Sequence, residues 1–386
     1  MAYNDLQKLR EAKKAVPTQI NRQYYRYLVA GNDLTALALF DFLKSKFSAE
    51  DRGILCWSAL PNRPNDWSWP GPNILRGKAN AGMLNKLYPH VTLEEQTDGP
   101  LFYKEQEWRS FKSRMKPETM LFEEDYFQQT AYRYRQEDLF PFLQDPSFFE
   151  VLAHEAQVKT PAKISAIIPQ DMMSPANWAI ECNDGTIIEC EYLCWADSPL
   201  EFSNLLGQGP QERKIDDQLI TWAMQAVSPT ALFVQFDFDR PYIPLKNTLF
   251  LPLSYTYEQG HFIGESDIGS DGRAQARFVH FLWPEEVNEE EVGKRHHHLK
   301  KSLAKIFQIS EKKLNHERVF LKTHTPCRKF DDILGQKQIS TSEKIFFLGS
   351  NVFLGPGDYF EYSMGEISYL TRALLSLEQT KKTLSP

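Results

Sequence analysis

Gly31, Asp33 and Ala36 are the residues whose types and spacing come nearest to a chemical motif in this sequence. They follow a short, apolar, β-prone run, "YRYLVAG". They open a stretch in which Leu34, Leu37, Ala38, Phe40, Phe42 and Leu43 give one broad apolar helical face. A strand, a glycine turn and a helix in that order begin a dinucleotide-binding unit, and the next strand, "GILCW" from Gly53 to Trp57, completes a β-α-β reading. Such a unit has Gly-x-Gly-x-x-Gly: one glycine for the turn, one for close approach to pyrophosphate, one for packing helix on strand. Here Asp33 and Ala36 stand at the second and third places. A methyl at the packing contact is a mild change. An aspartate at the helix start caps the free N–H groups that a pyrophosphate would otherwise use, and its charge repels phosphates at close range. Two readings follow, a cofactor loop with altered phosphate contacts, and a tight turn with a helix cap.

The other reactive residue types form weaker patterns. His296, His297 and His298 are consecutive; on a helix they point about 100° apart and cannot converge on one metal ion, so a solvated face is expected. His154, His261, His280 and His324 are isolated. Asp237, Asp239 and Asp267 invite a carboxylate-pair reading, but alternation places Asp237 and Asp239 on the outer, solvent-facing side of the strand "ALFVQFDFD". Cys56, Cys182, Cys190, Cys194 and Cys327 are odd in number and fall largely in apolar runs, which reads as reduced core thiols. Cys190 and Cys194 are over-separated on a strand for a metal pair. Phe233, Tyr255 and Tyr257 belong either to a ligand pocket or to plain core packing. None of these patterns names a catalytic residue.

These residues must be carried by a sizeable framework. A chain of 386 residues exceeds the usual limit of one core, so two domains are expected. A net charge of −7, with lysines interspersed among acids, argues against a nucleic-acid partner. No apolar run is long enough to span a bilayer. The charged start "MAYNDLQKLREAKKAVPTQ" lacks the apolar core of a secretory signal, so a cytoplasmic location is expected, with residues 1–22 forming a helical extension. Residues 58–82 have loop composition, and about 100 to 150 read as helical and aromatic. "WAIECNDG" and "TIIECEYLCWADS" read as a hairpin closed by Asn-Asp-Gly. "ALFVQFDFD", "TLFLPLSYTYEQGHFIGESD" and "ARFVHFLWP" read as an antiparallel sheet covered on one side, and a charged helix runs from roughly Glu285 to Phe307. "ERVFLKTHTP", the strand "KIFFLGS" and the helix "YSMGEISYLTRALLSL" close the chain.

Four stretches in this order resemble the flavin amine oxidase, protoporphyrinogen oxidase and phytoene desaturase superfamily. They are "YLVAGNDLTAL"; "EAQVKTPAKISAI" through the hairpin to "CEYLCWADSPLEFSNLL"; "ALFVQFDF"; and "KIFFLGSNVFLGPGDYFEYSMGEISYLTRALL". The resemblance implies an α/β fold: a Rossmann-like FAD/NAD(P)-binding domain from residues 23–100, 151–205 and 316–386, with an inserted antiparallel-sheet and helical substrate-type domain from 101–150 and 206–315. It implies FAD as cofactor, bound at positions matching Gly31, Asp33, Ala36, Ser58, Val158, Gly349, Ser350 and Gly357. Several of these depart from the family. Ser58 stands where an acid holds the ribose, Ser350 replaces the aspartate of a Gly-Asp pair after Gly349, and Arg63 or Arg76 stands in the following loop as a phosphate ligand. Val158 matches a position that pairs with adenine through its main chain, and the turn at Gly357 is placed to offer N–H groups to a flavin. The resemblance therefore implies either a non-catalytic binding or scaffold protein with an eroded cofactor site, or a working oxidoreductase acting on an amine or an unsaturated hydrophobic substrate. For the first, the partner is a protein or a hydrophobic small molecule.

Overall fold

The structure, a computed structural model, describes residues 22–31, 34–56, 71, 73–96, 99–110, 129–158, 164–171, 173–207, 209, 215–225, 230–238, 247–252, 261–268, 273–282, 286–308, 316–323, 343–348 and 368–385. In chain order, strand β1 (Arg22–Ala30) leads through Gly31 to helix α1 (Leu34–Lys46) and strand β2 (Arg52–Cys56). Then come β3 (Ile74–Arg76), α2 (Lys78–Leu87), β4 (Glu94–Gln96), β5 (Leu101–Lys104), β6 (Glu107–Ser110) and β7 (Ala131–Arg133). Helices α3 (Gln136–Leu139) and α4 (Pro146–Glu155) run into β8 (Ala156–Val158), β9 (Ile164–Pro169), β10 (Trp178–Cys182) and β11 (Ile187–Trp195). Helices α5 (Pro199–Leu205) and α6 (Asp217–Gln225) precede β12 (Thr230–Phe238), β13 (Leu249–Pro252), β14 (His261–Ile268) and β15 (Ala274–Leu282). The chain ends with α7 (Glu289–Phe307), β16 (His316–Thr323), β17 (Ile345–Phe347) and α8 (Ser368–Leu384).

One sheet has the order β8-β2-β1-β11-β10-β9, with β17 also on β11. β8, β2, β1, β11 and β17 are mutually parallel, so their C-terminal ends share one edge. β11 divides its outer side: its first half pairs antiparallel with β10 and its last residues pair with β17. Its period of two sorts side chains between faces. Val29, Ile54, Cys56, Cys194 and Phe346 pack with α1 and α8, while Leu28, Ala30, Leu55, Trp195 and Phe347 pack with α5 and α6. Arg52 fixes the start of β2 to the end of α4 by paired bonds to Glu155, at 3.1 and 2.8 Å. The Asn183–Gly185 hairpin between β10 and β11 forms as expected, with Gly185 at φ 83°, where a side chain is strained. This is the Rossmann-like half of a mixed α/β fold.

The second sheet has the order β16-β12-β15-β14-β13-β5-β6, and a small third sheet has β3-β7-β4. Pairing crosses the segments expected from the sequence: β3 and β4 pair with β7, and β16 pairs with β12.

Three expectations are corrected. The second sheet is covered on both faces, not one. Leu232, Val234 and Phe236 pack beneath Leu299 and Leu303 of α7, while Ala231 and Phe233 join Phe250, Ile263 and Val279 in the core shared with the first sheet. Asp237 is accordingly half-buried; Asp239 lies outside the described residues. Residues 101–110 form a β-hairpin, not a helix, because Phe102, Tyr103 and Trp108 extend the sheet edge. Finally, α1 is buried on every side from Leu34 to Phe40 rather than along one face, since α8 covers it opposite the sheet.

Candidate functional site

The candidate site is the edge where the parallel strands end. Ala30 is in register with Leu55 and Trp195, Trp195 with Phe347, and Cys56 with Val158, so Gly31, Val158 and Ala196 come to a common level. A ligand of a parallel α/β sheet lies outside such strand ends. Helix α1 starts here with no acidic residue in its first turn, and Asp33 directly precedes it in the chain.

At this edge the backbone is spent on itself. Gly31 donates its N–H to Leu55 O at 3.1 Å, Ala196 donates to Ala30 O at 2.7 Å, and Leu348 donates to Trp195 O at 2.8 Å. Gly31 has a different necessity from the one its motif suggests. A Cβ there would lie 2.6 Å from Ala196 Cβ and 2.9 Å from Ala196 O, so glycine lets the β1 turn pass against β11. Gly31→Ala is expected to destabilise the protein by about 1–3 kcal/mol, read as a lower urea midpoint at unchanged slope. A midpoint equal to the parent's would mean the two turns are free to separate.

Ala36 is fully buried and packs in the first turn of α1, so its methyl fills the helix–sheet contact. Trp195 donates its indole N–H to Ser198 O at 3.0 Å, and Ser198 caps α5 by accepting from Leu200 N at 3.2 Å. Between them the edge carries a carboxylate that sequence reasoning passed over. Asp197, half-buried, accepts from Ser198 N at 2.6 Å beside the Gly31–Ala196 contact. Its sequence signal was its place in "CWADSP", directly after a strand of the parallel sheet.

Arg76 does not serve this edge. It is buried in β3 and donates to the Thr248 hydroxyl on the second sheet. Asp33, Ser58, Arg63, Gly349, Ser350 and Gly357 lie outside the described residues, as do Tyr255, Tyr257, Cys327 and residues 1–21 of the N-terminal extension, whose expected last residue, Arg22, begins β1. Phe233 is core, 3% exposed. The described residues thus fit the frame of a dinucleotide. Gly31, Leu34, Ala36, Cys56, Trp195, Ala196 and Leu348 supply no charged side chain to meet its phosphates.

Among the described residues the edge holds no thiol nucleophile. Burial pushes the Cys56 thiol up to about 12, and burial raises Cys190 and Cys194 as well. A thiol raised in the folded state and ordinary, near 9, in the unfolded state holds its proton longer when folded. Its contribution to stability is complete below about pH 9 and is lost as pH rises through the folded value. Stability is therefore expected to fall from about pH 9 toward 12, and Cys56→Ser should flatten that slope. An unaltered slope in the variant would assign the loss to other groups. His296 contacts Glu317 at 3.2 Å, and among the described residues no cluster of His, Cys, Asp and Glu could hold a metal ion. No described helix is long and apolar enough to cross a membrane.

No family profile and no curated protein matches the sequence. Solved structures do. Cyclohexylamine oxidase from Brevibacterium oxydans IH-35A is similar over 93% of this chain and 99% of its own, at 8% identity and TM-score 0.54. Putrescine oxidase bound to putrescine is similar over 94% and 99%, at 9% identity and TM-score 0.52. An oxidoreductase from Methanosarcina mazei is similar over 92% and 100%, at 9% identity and TM-score 0.51. At such identities the likeness is one of fold, and it extends over nearly the whole chain. The resemblance in the sequence is thus matched in three dimensions: this chain has the fold of the amine oxidases.

Proposed function

We propose that the chain is a divergent member of the FAD-dependent amine oxidase-like superfamily whose cofactor site has eroded, and that it works as a binding or scaffold protein without catalysis. The observation that carries this reading is the strand–turn–helix at Gly31. The fold places the start of α1 at the ligand edge, and the chain puts Asp33 directly before it, where a carboxylate takes the hydrogen bonds and the field that phosphates need. Asp197 adds a second carboxylate beside the same turn. The partner is a protein or a hydrophobic small molecule in the cytoplasm, with no nucleic acid and no membrane span.

A second reading rests on what the edge keeps. The parallel strand ends, the buried Ala36 and the β8 main chain at Val158 are the parts of a dinucleotide site that tolerate substitution. With a shifted phosphate loop the chain would be an FAD-dependent oxidoreductase, the flavin supplying hydride chemistry and the protein a dry, oriented pocket. An absorption spectrum of the protein as purified, followed by titration with FAD, separates the two. A colourless protein that leaves FAD free supports the proposal. A flavin spectrum in stoichiometric amount retires it in favour of the second reading.

A further inference from the structure

We propose that the edge of the second sheet at β16 takes an added strand from an acidic partner, an extended protein segment in which apolar and acidic residues alternate. This names the class of protein partner for the binding role proposed above, at a different edge, and it holds whether or not FAD binds at the first. β16 ends the sheet order, and no described strand pairs with its outer side. An edge strand turns unpaired N–H and C=O groups outward, and proteins blunt such edges with short strands, bulges or cover. The other described edges are blunted. β6 has four residues, with Arg109 at 2.8 Å from Glu105 and 3.5 Å from Glu107; β8 has three; β9 pairs through a register shift at Glu181 and Cys182 and is bridged at Ile167 by Leu206. β16 runs for eight residues without a proline, in unbroken register with β12.

Its side chains are arranged for a neighbour. Leu321 and Val319 stand opposite Leu232 and Val234, which α7 covers with Leu299 and Leu303, yet they are themselves 49% and 42% exposed. The apolar row thus continues past the helix into the open. Phe320, on the other face, is half-buried against the core shared with the first sheet. That face is closed further along the sheet, where Glu265, 1% exposed, lies 3.2 Å from Arg277 and 3.8 Å from Arg133 of the small sheet. Docking is therefore confined to the edge of β16 and the open row beside α7.

Charge chooses the occupant. The protein's net charge is −7, yet α7 from Lys300 onward and β16 together hold Lys300, Lys301, Lys305, Arg318 and Lys322 against one acid, Glu317. Glu317 is already held by His296 at 3.2 Å and Lys300 at 3.0 Å. The first turns of α7 neutralise themselves, Lys294 and Arg295 pairing with Glu286, Glu290 and Glu291. A second copy of β16 would bring the same excess of cations against itself. An acidic segment complements it, with apolar residues opposite Val319 and Leu321 and acids opposite Arg318 and Lys322.

Fluorescence anisotropy of the labelled peptide GDVTVEG, titrated with the full chain, tests this. Saturable sub-millimolar binding is expected, with affinity falling about fivefold as salt rises from about 0.05 to about 0.5 M. The peptides GKVTVKG and GDVPVEG, one with its charge reversed and one unable to continue a strand, should bind at least about tenfold more weakly. Leu321→Asp sets a like charge beside the acids at an exposed position and should weaken binding about tenfold. If that variant fails to fold, Val319→Thr, expected to weaken binding about threefold, decides. Absence of saturable binding, equal binding of either control peptide, or unchanged affinity in the variant would overturn the proposal. So would a dimer of the full chain in sedimentation that Leu321→Asp dissolves, since a second copy then fills the edge.

Discussion

Asp33→Gly is expected to raise FAD affinity by about a hundredfold, measured by titration of flavin fluorescence or absorbance. Asp33 directly precedes Leu34, the first residue of α1, at the edge where the parallel strands end. A carboxylate some 4 to 8 Å from a pyrophosphate costs about 2–4 kcal/mol at an effective dielectric near 20. Its removal would also free helix-terminal N–H groups of the kind that an aspartate directly before a helix caps. Asp33→Asn separates the two contributions, since asparagine keeps the cap and loses the charge. A gain in both variants assigns the defect to charge, and a gain in glycine alone assigns it to the occupied N–H groups. Unchanged affinity in both would mean that Asp33 is not what excludes the cofactor. The closed backbone at Gly31 and Ala196 would then be the place to look.

The strand–turn–helix opening was legible because each of its signals is local. β1 is an apolar run, Gly31 its turn, and α1 follows within a few residues. The β10–β11 hairpin was legible for the same reason, Gly185 taking a left-handed backbone that few residues adopt. The hairpin at 101–110 was hidden because its turn uses Glu105 and Gln106 at φ 52° and 67°, where glycine or asparagine would have announced it. Burial of Asp237 was hidden for another reason. Alternation along β12 predicts two faces, but what covers the second face comes from β3, β7 and the first sheet, far off in sequence.

The candidate site was readable to the same extent. Gly31 and Ala36 are placed where a motif would place them, but the sequence could not show that Gly31 is demanded by Ala196, a contact made only when β1 and β11 pair. Asp197 was passed over because its relevance lies in that same pairing. The Glu265 cluster had no sequence signal at all, since its members lie on strands of two different sheets.

That cluster also carries the largest expected stability effect. Glu265→Ala should cost about 3–5 kcal/mol, a substantial part of the 5–15 kcal/mol typical of a folded protein. The reason is what the carboxylate leaves behind. Arg277, at 3.2 Å, would lose its carboxylate, Arg133, at 3.8 Å, would keep only its pair with Asp267, and Asn73 N would lose its 2.6 Å acceptor, all in a place 1% exposed at Glu265. Most of that cost is uncompensated buried charge, so it should be recoverable. Replacing the ion pair as a unit, Glu265→Leu with Arg277→Met, should restore much of the loss, because apolar groups of similar volume need no partner. Urea unfolding followed by tryptophan fluorescence reads both variants. A single-variant loss under 1 kcal/mol would show that water reaches the cluster and screens it. A double variant no better than the single one would mean that Arg133, still charged, is the group that Glu265 must neutralise.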